Sequence, residues 1–344
     1  MADLEPLLSI VVTSRNDDHG GNLLRRMQLF VSGLLEQAGR YNFNAELVIV
    51  EWNPPTDQPR LAQALRWPDK TGPCSVRIIE VSPEIHRRFE HSGRLPLYQM
   101  IGKNVGIRRA RGQFVLATNI DILFSNEMVR FFASGELMKG RLYRVDRHDV
   151  RSDIPDNAPI DLQLAYCRRN IIRINRRDGT QILNGGPTVR GVIKGVLKHV
   201  RRVRRLIKGE ASPLHTNACG DFTLMAREHW LAVRGYAEFH MYSFWLDSLL
   251  CYAAYYAGAK EIILRDPMRI YHIEHSPGSG WMPGSGGELL NRRLMAAGIP
   301  QLSADQYAAW VKQMHREQRS IIFNESEEAW GLANERLPET VIVE

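Results

Sequence analysis

KNVGIRRARGQFVLATNID, residues 103–121, is the stretch that decides the fold of this chain. Residues 96–109 have the pattern of a helix, and residues 114–118 are an uncharged apolar run typical of a buried strand. That strand runs directly into Asn119, Ile120 and Asp121, so an acidic side chain follows its carboxyl end. The stretch therefore predicts one helix–strand unit of a parallel α/β sheet.

Three more apolar runs upstream have the composition of buried strands. They cover residues 7–13, 46–51 and 76–81, and residues 23–38 between the first two have apolar side chains at helical spacing. Strands that alternate with helices predict right-handed βαβ units and a mostly parallel sheet flanked by helices. Ligands of such sheets bind outside the carboxyl ends of strands, which is where Arg15, Glu51 and Asp121 are expected.

The second half of the chain has a less regular pattern. The periodicity weakens over residues 139–216 and returns over residues 221–258, which read as core with two helical stretches. The elements predicted after that are short strands at 262–264 and 268–272, a glycine-rich loop at 276–287, and helices at 289–295 and 304–316. We therefore expect a helical and loop insertion in the middle of the fold and an extension at its C-terminus.

The positive charge of the chain is concentrated in one segment. The 344 residues carry a formal net charge of +7, and residues 190–208 alone contain eight Lys or Arg and no acid. Apolar residues recur through this segment at helical spacing, which predicts a basic amphipathic helix. Such a helix either lies on an anionic membrane surface or packs on the core with a solvated outer face. Because the charge is local, we expect no nucleic-acid partner.

The remaining bulk features are those of a folded protein of the cytoplasm. Hydrophobic residues make up 44% of the chain and charged residues 24%. The N-terminus lacks the features of a secretory signal, and no uncharged apolar run reaches the roughly 18–20 residues that span a bilayer. The four cysteines are far apart and form no CxxC motif, as expected of reduced thiols. We expect a cytoplasmic protein, peripheral to the membrane if the basic helix binds there.

The helix and strand of residues 103–121 resemble a motif of one enzyme family. GT-A glycosyltransferases, especially the family 2 type, show an N-x-G-hydrophobic-x-x-A-x-G helix that leads into a strand and then a D-x-D motif. Asn104, Gly106, Ala110 and Gly112 match the helix motif. Residues 119–121 stand at the D-x-D position, where this chain has an amide in place of the first acid.

This resemblance covers roughly the first 130 residues and, more loosely, residues 219–275. It implies a GT-A type, Rossmann-like sheet. It also implies an enzyme that moves a sugar from a UDP- or GDP-linked donor to a hydroxyl of a carbohydrate or lipid-linked acceptor. The chain then divides into four segments: a nucleotide-sugar-binding half, 1–138; an insertion with the basic helix, 139–216; an acceptor and catalytic half, 217–300; and a C-terminal helix and tail, 301–344.

The resemblance also implies roles for residues at the predicted edge of the sheet. Asp121 would hold Mn²⁺ or Mg²⁺ together with one of two late histidines, His275 or His272, and alternation along a strand would place these two on opposite faces. The metal would neutralise the donor diphosphate and stabilise its departure. Contacts to the donor are expected from Thr13, Arg15, Glu51, Asn104, Arg108 and Asn119.

Two further acids are candidates for the catalytic half. Asp247 lies on an otherwise apolar helix, where burial would raise its pKa towards the range of a general base. By the resemblance it holds the position of the base of inverting enzymes, although Leu246 precedes it in place of a second acid. Asp221 lies where related enzymes place an acceptor-binding loop. The structural alternative for both residues is a carboxylate that caps a helix or pairs with an arginine.

Two other function classes stay open from the sequence. A nucleotidyltransferase would share the sheet architecture, but the chain shows no early Gly-rich phosphate loop bearing a lysine. A non-catalytic relative that binds a nucleotide-sugar or an anionic membrane is kept open by the missing first acid of the D-x-D motif. Donor hydrolysis with added Mn²⁺ separates an enzyme from this relative, and release of pyrophosphate would indicate the nucleotidyltransferase.

Overall fold

The computed structural model describes residues 5–183, 214–275 and 288–342. The predicted basic helix at 190–208 and the predicted glycine-rich loop at 276–287 lie outside the described residues. Within the described ranges, none of the helices combines the length and the apolar character that crossing a bilayer requires.

A central sheet of eight strands carries the fold. In spatial order its strands are β11 (Lys260–Leu264), β6 (Arg141–Val145), β10 (Phe222–Ala226), β4 (Phe114–Thr118), β1 (Leu8–Ser14), β2 (Ala45–Trp52), β3 (Cys74–Val81) and β13 (Glu339–Ile342). All of them run parallel except β10 and β13, which are antiparallel to their neighbours. The mostly parallel sheet predicted from the sequence is therefore confirmed.

A second, smaller sheet meets the carboxyl end of the first. In spatial order its strands are β5 (Ile122–Phe124), β12 (Ile270–Ile273), β7 (Arg147–Val150), β8 (Ile171–Arg176) and β9 (Gly179–Ile182). The chain passes from β4 of the large sheet into β5 of the small one through residues 119–121, and from β6 into β7 through Asp146. Residues 119–121 therefore lie at the line where the two sheets meet.

The helices cover both faces of the central sheet. Their bounds are α1 (Leu23–Tyr41), α2 (Leu61–Ala64), α3 (Pro83–His86), α4 (Gln99–Arg109), α5 (Asn126–Ala133), α6 (Ile160–Arg169), α7 (Arg227–Ala232), α8 (Leu246–Tyr256), α9 (Glu288–Ala297) and α10 (Ala304–Glu317). Successive residues of β1 point to opposite faces, so Ile10 packs in the core with α1 and Val11 packs in the core with α4 and α8. Serine caps help to define helix starts: the Ser125 Oγ accepts the Met128 amide at 3.2 Å in α5.

Residues 139–183 contain more regular structure than the weak sequence pattern indicated. They form β6, β7, β8, β9 and α6, and β6 is an inner strand of the central sheet. The periodicity is hidden because several inward-facing residues are charged: Arg144 and Asp149 are both fully buried. Strands from all four predicted segments share the central sheet, with β13 of the C-terminal segment at its edge.

Helix α4 packs against β1 at an unusually short distance because it carries glycine at the contact. A Cβ atom on Gly106 would lie 2.5 Å from Cγ1 of Val11, and one on Gly102 would lie 2.5 Å from Oγ1 of Thr13. Carbon atoms in contact normally stay about 3.5–4.0 Å apart. The glycine of the N-x-G motif is therefore required by the packing of the helix on the sheet.

We predict that Gly106→Ala lowers the free energy of unfolding by about 1–3 kcal/mol, because the added methyl group overpacks the contact with Val11. The control is Gly39→Ala in α1, where an added Cβ meets nothing within 4 Å. That change should leave stability unchanged or raise it by up to about 1 kcal/mol. Urea unfolding measures both, and equal effects of the two substitutions would contradict the close-packing argument.

Candidate active site

A cavity of about 380 Å³ opens where the two sheets meet. Its walls include Thr13 and Arg15 after β1, Asn119 and Asp121 after β4, and His272 on β12. This is the carboxyl edge of the central sheet, where the sequence predicted ligand binding. A larger and more open groove of about 690 Å³ runs beside α1, but none of the predicted site residues lines it.

Asp121, His272 and His275 come together at one end of this cavity. Oδ2 of Asp121 lies 3.7 Å from Nε2 of His272 and 3.4 Å from Nε2 of His275. One ligand atom from each of the three residues lies within 4.8 Å of the others. Asp121 is only 5% exposed, and its Oδ1 is buried without a hydrogen-bond partner. A buried carboxylate oxygen with no donor beside it is free to bind a cation.

The chemistry of these donors fits a divalent metal. One carboxylate and two imidazoles suit a transition ion such as Mn²⁺ better than Mg²⁺, which prefers oxygen ligands. Arg26 limits the carboxylate to one free oxygen, because its guanidinium donates a 2.7 Å hydrogen bond to Oδ2 of Asp121. A second group of potential ligands, Asp149, His272 and Glu274, shares one histidine with the first. The arginines that already bind Asp149 make that group the poorer metal site.

Both histidines face Asp121, contrary to the expectation that they would lie on opposite faces. Strand β12 ends at Ile273, so alternation does not continue to His275. The two imidazole rings lie 5.3 Å apart between centroids. On the far side of His272, its Nδ1 lies 2.8 Å from Oδ1 of Asp149. Nε2 is therefore the nitrogen that faces Asp121, as in metal sites where a carboxylate orients a histidine ligand.

The pKa of His272 is raised by its two acidic neighbours. Burial and the guanidinium of Arg147 act to lower the pKa, but the carboxylates of Asp121 and Asp149 outweigh them. The two carboxylates thus stabilise the imidazolium form of His272 relative to an ordinary histidine. Metal binding would have to displace this proton.

Asp221 lines the same cavity and is locked in an ion pair. Its Oδ1 accepts a 2.5 Å hydrogen bond from Nδ2 of Asn119, and its Oδ2 accepts one of 2.5 Å from NH1 of Arg147. Burial acts to raise the pKa of Asp221, but Arg147 and His272 lower it overall. An acid held ionised in this way is a poor proton acceptor. Asn119, the amide at the first D-x-D position, thus binds the carboxylate of Asp221, which is distant in the sequence.

A buried network behind the cavity was not foreseen from the sequence. Asp149 is fully buried and accepts hydrogen bonds from Nε of Arg173 at 2.6 Å and from Nδ2 of Asn175 at 2.7 Å. Arg173 also donates a 2.5 Å bond to Glu274. Burial acts to raise the pKa of Asp149, but Arg147, His272 and Arg173 hold it far below its usual range. Charged and apolar residues mix over 141–150 without regular alternation, so the sequence offers little signal for this network.

Of the residues predicted to bind the donor, Thr13, Arg15 and Asn119 line the cavity. Nε of Arg15 donates a 2.7 Å hydrogen bond to the Asn53 carbonyl, and its NH1 donates one of 2.6 Å to Asp17. These bonds hold the guanidinium over the end of β2. Its orientation is therefore set before a ligand arrives.

Asn104 and Arg108 do not line the cavity, so their donor contacts stay a prediction. Asn104 is fully buried: its Nδ2 donates to the Tyr236 carbonyl at 2.8 Å and to Glu238 at 2.9 Å, and its Oδ1 accepts the Tyr236 amide at 2.8 Å. The guanidinium of Arg108 lies 4.8 Å from the ring centroid of Trp330. Both side chains of the motif helix therefore bind other parts of the protein.

Asp247 lies in the first turn of α8 and is absent from the cavity lining. Its Oδ2 accepts the Gly220 amide at 2.8 Å, and its Oδ1 accepts the Ser248 amide at 2.8 Å. The carboxylate thus links the start of α8 to the turn that carries Asp221. Its role as a base stays a prediction.

Comparisons with known proteins show a likeness of fold. No family model matches the sequence, and no curated protein matches it either. A structure of S. aureus TarS 1–349 in complex with UDP-GlcNAc overlaps 91% of this chain and 73% of its own, with 13% identity and a TM-score of 0.46. The same protein fragment with UDP overlaps 90% of this chain and 72% of its own, with 12% identity and a TM-score of 0.43.

Two further structures show how partial the likeness is. In another TarS structure the overlap covers 79% of this chain but only 38% of the TarS chain, with 12% identity and a TM-score of 0.41. This chain thus spans well under half the length of that TarS chain. The catalytic domain of Drosophila beta1,4galactosyltransferase 7 with xylobiose overlaps 75% of this chain and 65% of its own, with 9% identity and a TM-score of 0.34.

Glu51 also lies away from the cavity lining, and its carboxylate is used locally. It is 2% exposed, and its Oε1 accepts the Leu61 amide at 3.0 Å, at the start of α2. Burial raises the pKa of Glu51 to about 7, only partly offset by that hydrogen bond. Because the pKa of Glu51 is higher in the folded than in the unfolded state, protonation of Glu51 stabilises the folded state at low pH. This stabilisation is lost as the pH rises from the unfolded value of about 4.3 through the folded value.

We predict that Glu51→Gln stabilises the protein more at pH 8 than at pH 5. Glutamine keeps the acceptor for the Leu61 amide and removes the ionisation that is penalised by burial. Urea unfolding of the wild type and the variant at the two pH values measures the difference. A stability difference that stays constant from pH 5 to pH 8 would show that Glu51 has an ordinary pKa in the fold.

Proposed function

We propose that this chain is a GT-A-type glycosyltransferase that moves a sugar from a nucleotide-diphosphate-sugar to an acceptor hydroxyl. The observation that carries the proposal is the meeting of Asp121, His272 and His275 in one cavity at the carboxyl edge of a mostly parallel sheet. These residues would hold a divalent ion. When bound, that ion would neutralise the donor diphosphate and stabilise its departure.

The protein supplies fixed groups around the donor. Arg26 is 4% exposed and lies in the cavity wall, where its cationic group is already oriented by Asp121 and the His19 carbonyl. Arg15 and Thr13 line the same cavity after the end of β1. Preoriented cations beside a departing diphosphate lower the barrier because they need little reorganisation during the reaction.

The acceptor side is assigned to Asp221, Tyr242 and Ser243, which line the cavity, and to Asp247, which binds the turn that carries Asp221. In an inverting displacement the acceptor oxygen bonds to the anomeric carbon, the bond from that carbon to the diphosphate breaks, and the acceptor proton passes to a base. Asp247 is the better candidate for this base, because its hydrogen bonds come from two backbone amides whereas Asp221 is paired with Arg147. The carboxylate of Asp247 is bound to the Gly220 amide, next to the cavity-lining Asp221, so the acceptor hydroxyl would have to reach this turn.

The acceptor, the location and the metal ion are further parts of this proposal. We propose a carbohydrate or lipid-linked acceptor, Mn²⁺ as the preferred ion, and a cytoplasmic protein whose segment 190–208 contacts anionic lipid. That segment lies outside the described residues, so the support for a membrane contact is its sequence alone. UDP-GlcNAc is a sensible first donor to try, because it occupies one of the structures of similar fold.

The decisive test is calorimetric titration of the full chain with UDP and with GDP, each with and without Mn²⁺. We expect one nucleotide to bind, and to bind about tenfold or more weakly without metal, because the diphosphate then loses the cation that would neutralise its charge. Asp121→Ala should abolish the metal effect. The matched control is Asp161→Ala, which removes a surface carboxylate with 58% exposure that pairs with Arg40.

Three results would count against parts of the proposal. Absence of nucleotide binding under every condition would remove the donor site. Binding without any turnover of the nucleotide-sugar in the presence of Mn²⁺ would support the non-catalytic alternative. Release of pyrophosphate would indicate a nucleotidyltransferase.

A further inference from the structure

Lys103 is a buried lysine that the chemistry described above does not use. It belongs to the motif helix α4, and its side chain is fully buried. Its Nζ donates a 2.6 Å hydrogen bond to the Gly220 carbonyl. Lysine is rarely buried unless its ammonium group is compensated, so a buried lysine needs a reason in the surrounding charges.

Two carboxylates supply that reason. Asp221 and Asp247 act on Lys103 electrostatically and favour its charged form. Burial nevertheless lowers the pKa of Lys103 to about 8. The charged ammonium form therefore still predominates at neutral pH. Cys219 and Asp121 contribute in the same direction as the two acids but more weakly. The ammonium group thus sits among the acids of the acceptor side.

The two peptide groups that flank Gly220 are each bound by a side chain. Lys103 binds its carbonyl, and Oδ2 of Asp247 accepts its amide at 2.8 Å. The next carbonyl, that of Asp221, accepts a 2.7 Å bond from Oγ1 of Thr118. There is little free space in this turn, since a Cβ on Gly220 would lie 3.0 Å from Oδ2 of Asp247. A displacement of Gly220 would therefore move Asp247.

We propose that Lys103 is a positioning residue for sugar transfer, which holds the Cys219–Asp221 turn and through Gly220 fixes the carboxylate of Asp247. This inference rests on the proposed function. Lys103 itself touches neither donor nor acceptor, because it is absent from the cavity lining. Its effect on the reaction passes through the main chain of the turn and through its charge.

The test compares Lys103→Met, which keeps the length of the side chain and removes its charge, with Lys139→Met as control. Lys139 is 63% exposed and pairs with Glu228 on the surface. The assay measures hydrolysis of a nucleotide-sugar by the full chain, with water as acceptor and Mn²⁺ present. The nucleotide-sugar carries the base, uracil or guanine, that the wild type binds. For Lys103→Met we expect kcat to fall about 10- to 100-fold, with the donor KM and the nucleotide Kd within about twofold of the wild type.

A double-mutant cycle shows whether the effect passes through Asp247. In an Asp247→Asn background, Lys103→Met should change kcat by less than about twofold, because the group that it positions is already disabled. If the fold-losses in kcat of the two substitutions multiply in the double variant, the inference is overturned. It is also overturned if Lys103→Met has the same kcat as the Lys139→Met control. If the wild type binds no nucleotide, the proposed function fails first, and the two failures are thereby distinguished.

A second variant keeps the inference testable if Lys103→Met does not fold. Gly220→Ala leaves the lysine in place and presses the new methyl group against Oδ2 of Asp247. It should produce the same selective loss of kcat at unchanged donor KM. Wild-type kcat in a folded Gly220→Ala protein would overturn the inference.

Discussion

The contact between α4 and β1 is the constraint on which the rest of the structure depends. Glycine at positions 102 and 106 lets the helix approach the strand so closely that no Cβ would fit. The helix then reaches across to both halves of the protein. Its polar side chains bind three separate segments: Gln99 binds Asn119, Lys103 binds Gly220, and Asn104 binds Tyr236. One helix therefore ties together the segments that carry Asn119, Gly220 and Tyr236.

The charges at the junction of the two sheets are arranged before any ligand binds. Asp121, Asp149 and Asp221 are all nearly or fully buried, and each has an arginine as partner: Arg26, Arg173 and Arg147, respectively. Removing one partner of a buried pair is strongly destabilising, whereas the intact network holds its members in fixed orientations. The charged side chains of this edge are therefore preorganised, which is the arrangement that the proposed metal and diphosphate would require.

The sequence was informative where a local pattern fixes the structure. It predicted the parallel strands and the helix of the N-x-G motif, because periodicity and strand ends are properties of short segments. The family resemblance implied a late histidine beside Asp121, but alternation along the strand wrongly placed His272 and His275 on opposite faces. It could not predict the roles of Arg147 and Asp149, because, apart from each other, their partners lie more than 20 residues away in the chain. The motif position of Asn104 and the strand-end position of Glu51 are visible in the sequence, but side-chain direction depends on tertiary neighbours.

The most direct test of this account is anomalous diffraction at the manganese edge from crystals of the full chain grown with Mn²⁺ and UDP. The account predicts one strong peak in bonding distance of Asp121 Oδ1 and of at least one imidazole nitrogen from His272 or His275, with the UDP diphosphate on the same ion. A peak elsewhere, or UDP bound in the cavity with no metal beside Asp121, would contradict the metal-dependent donor site.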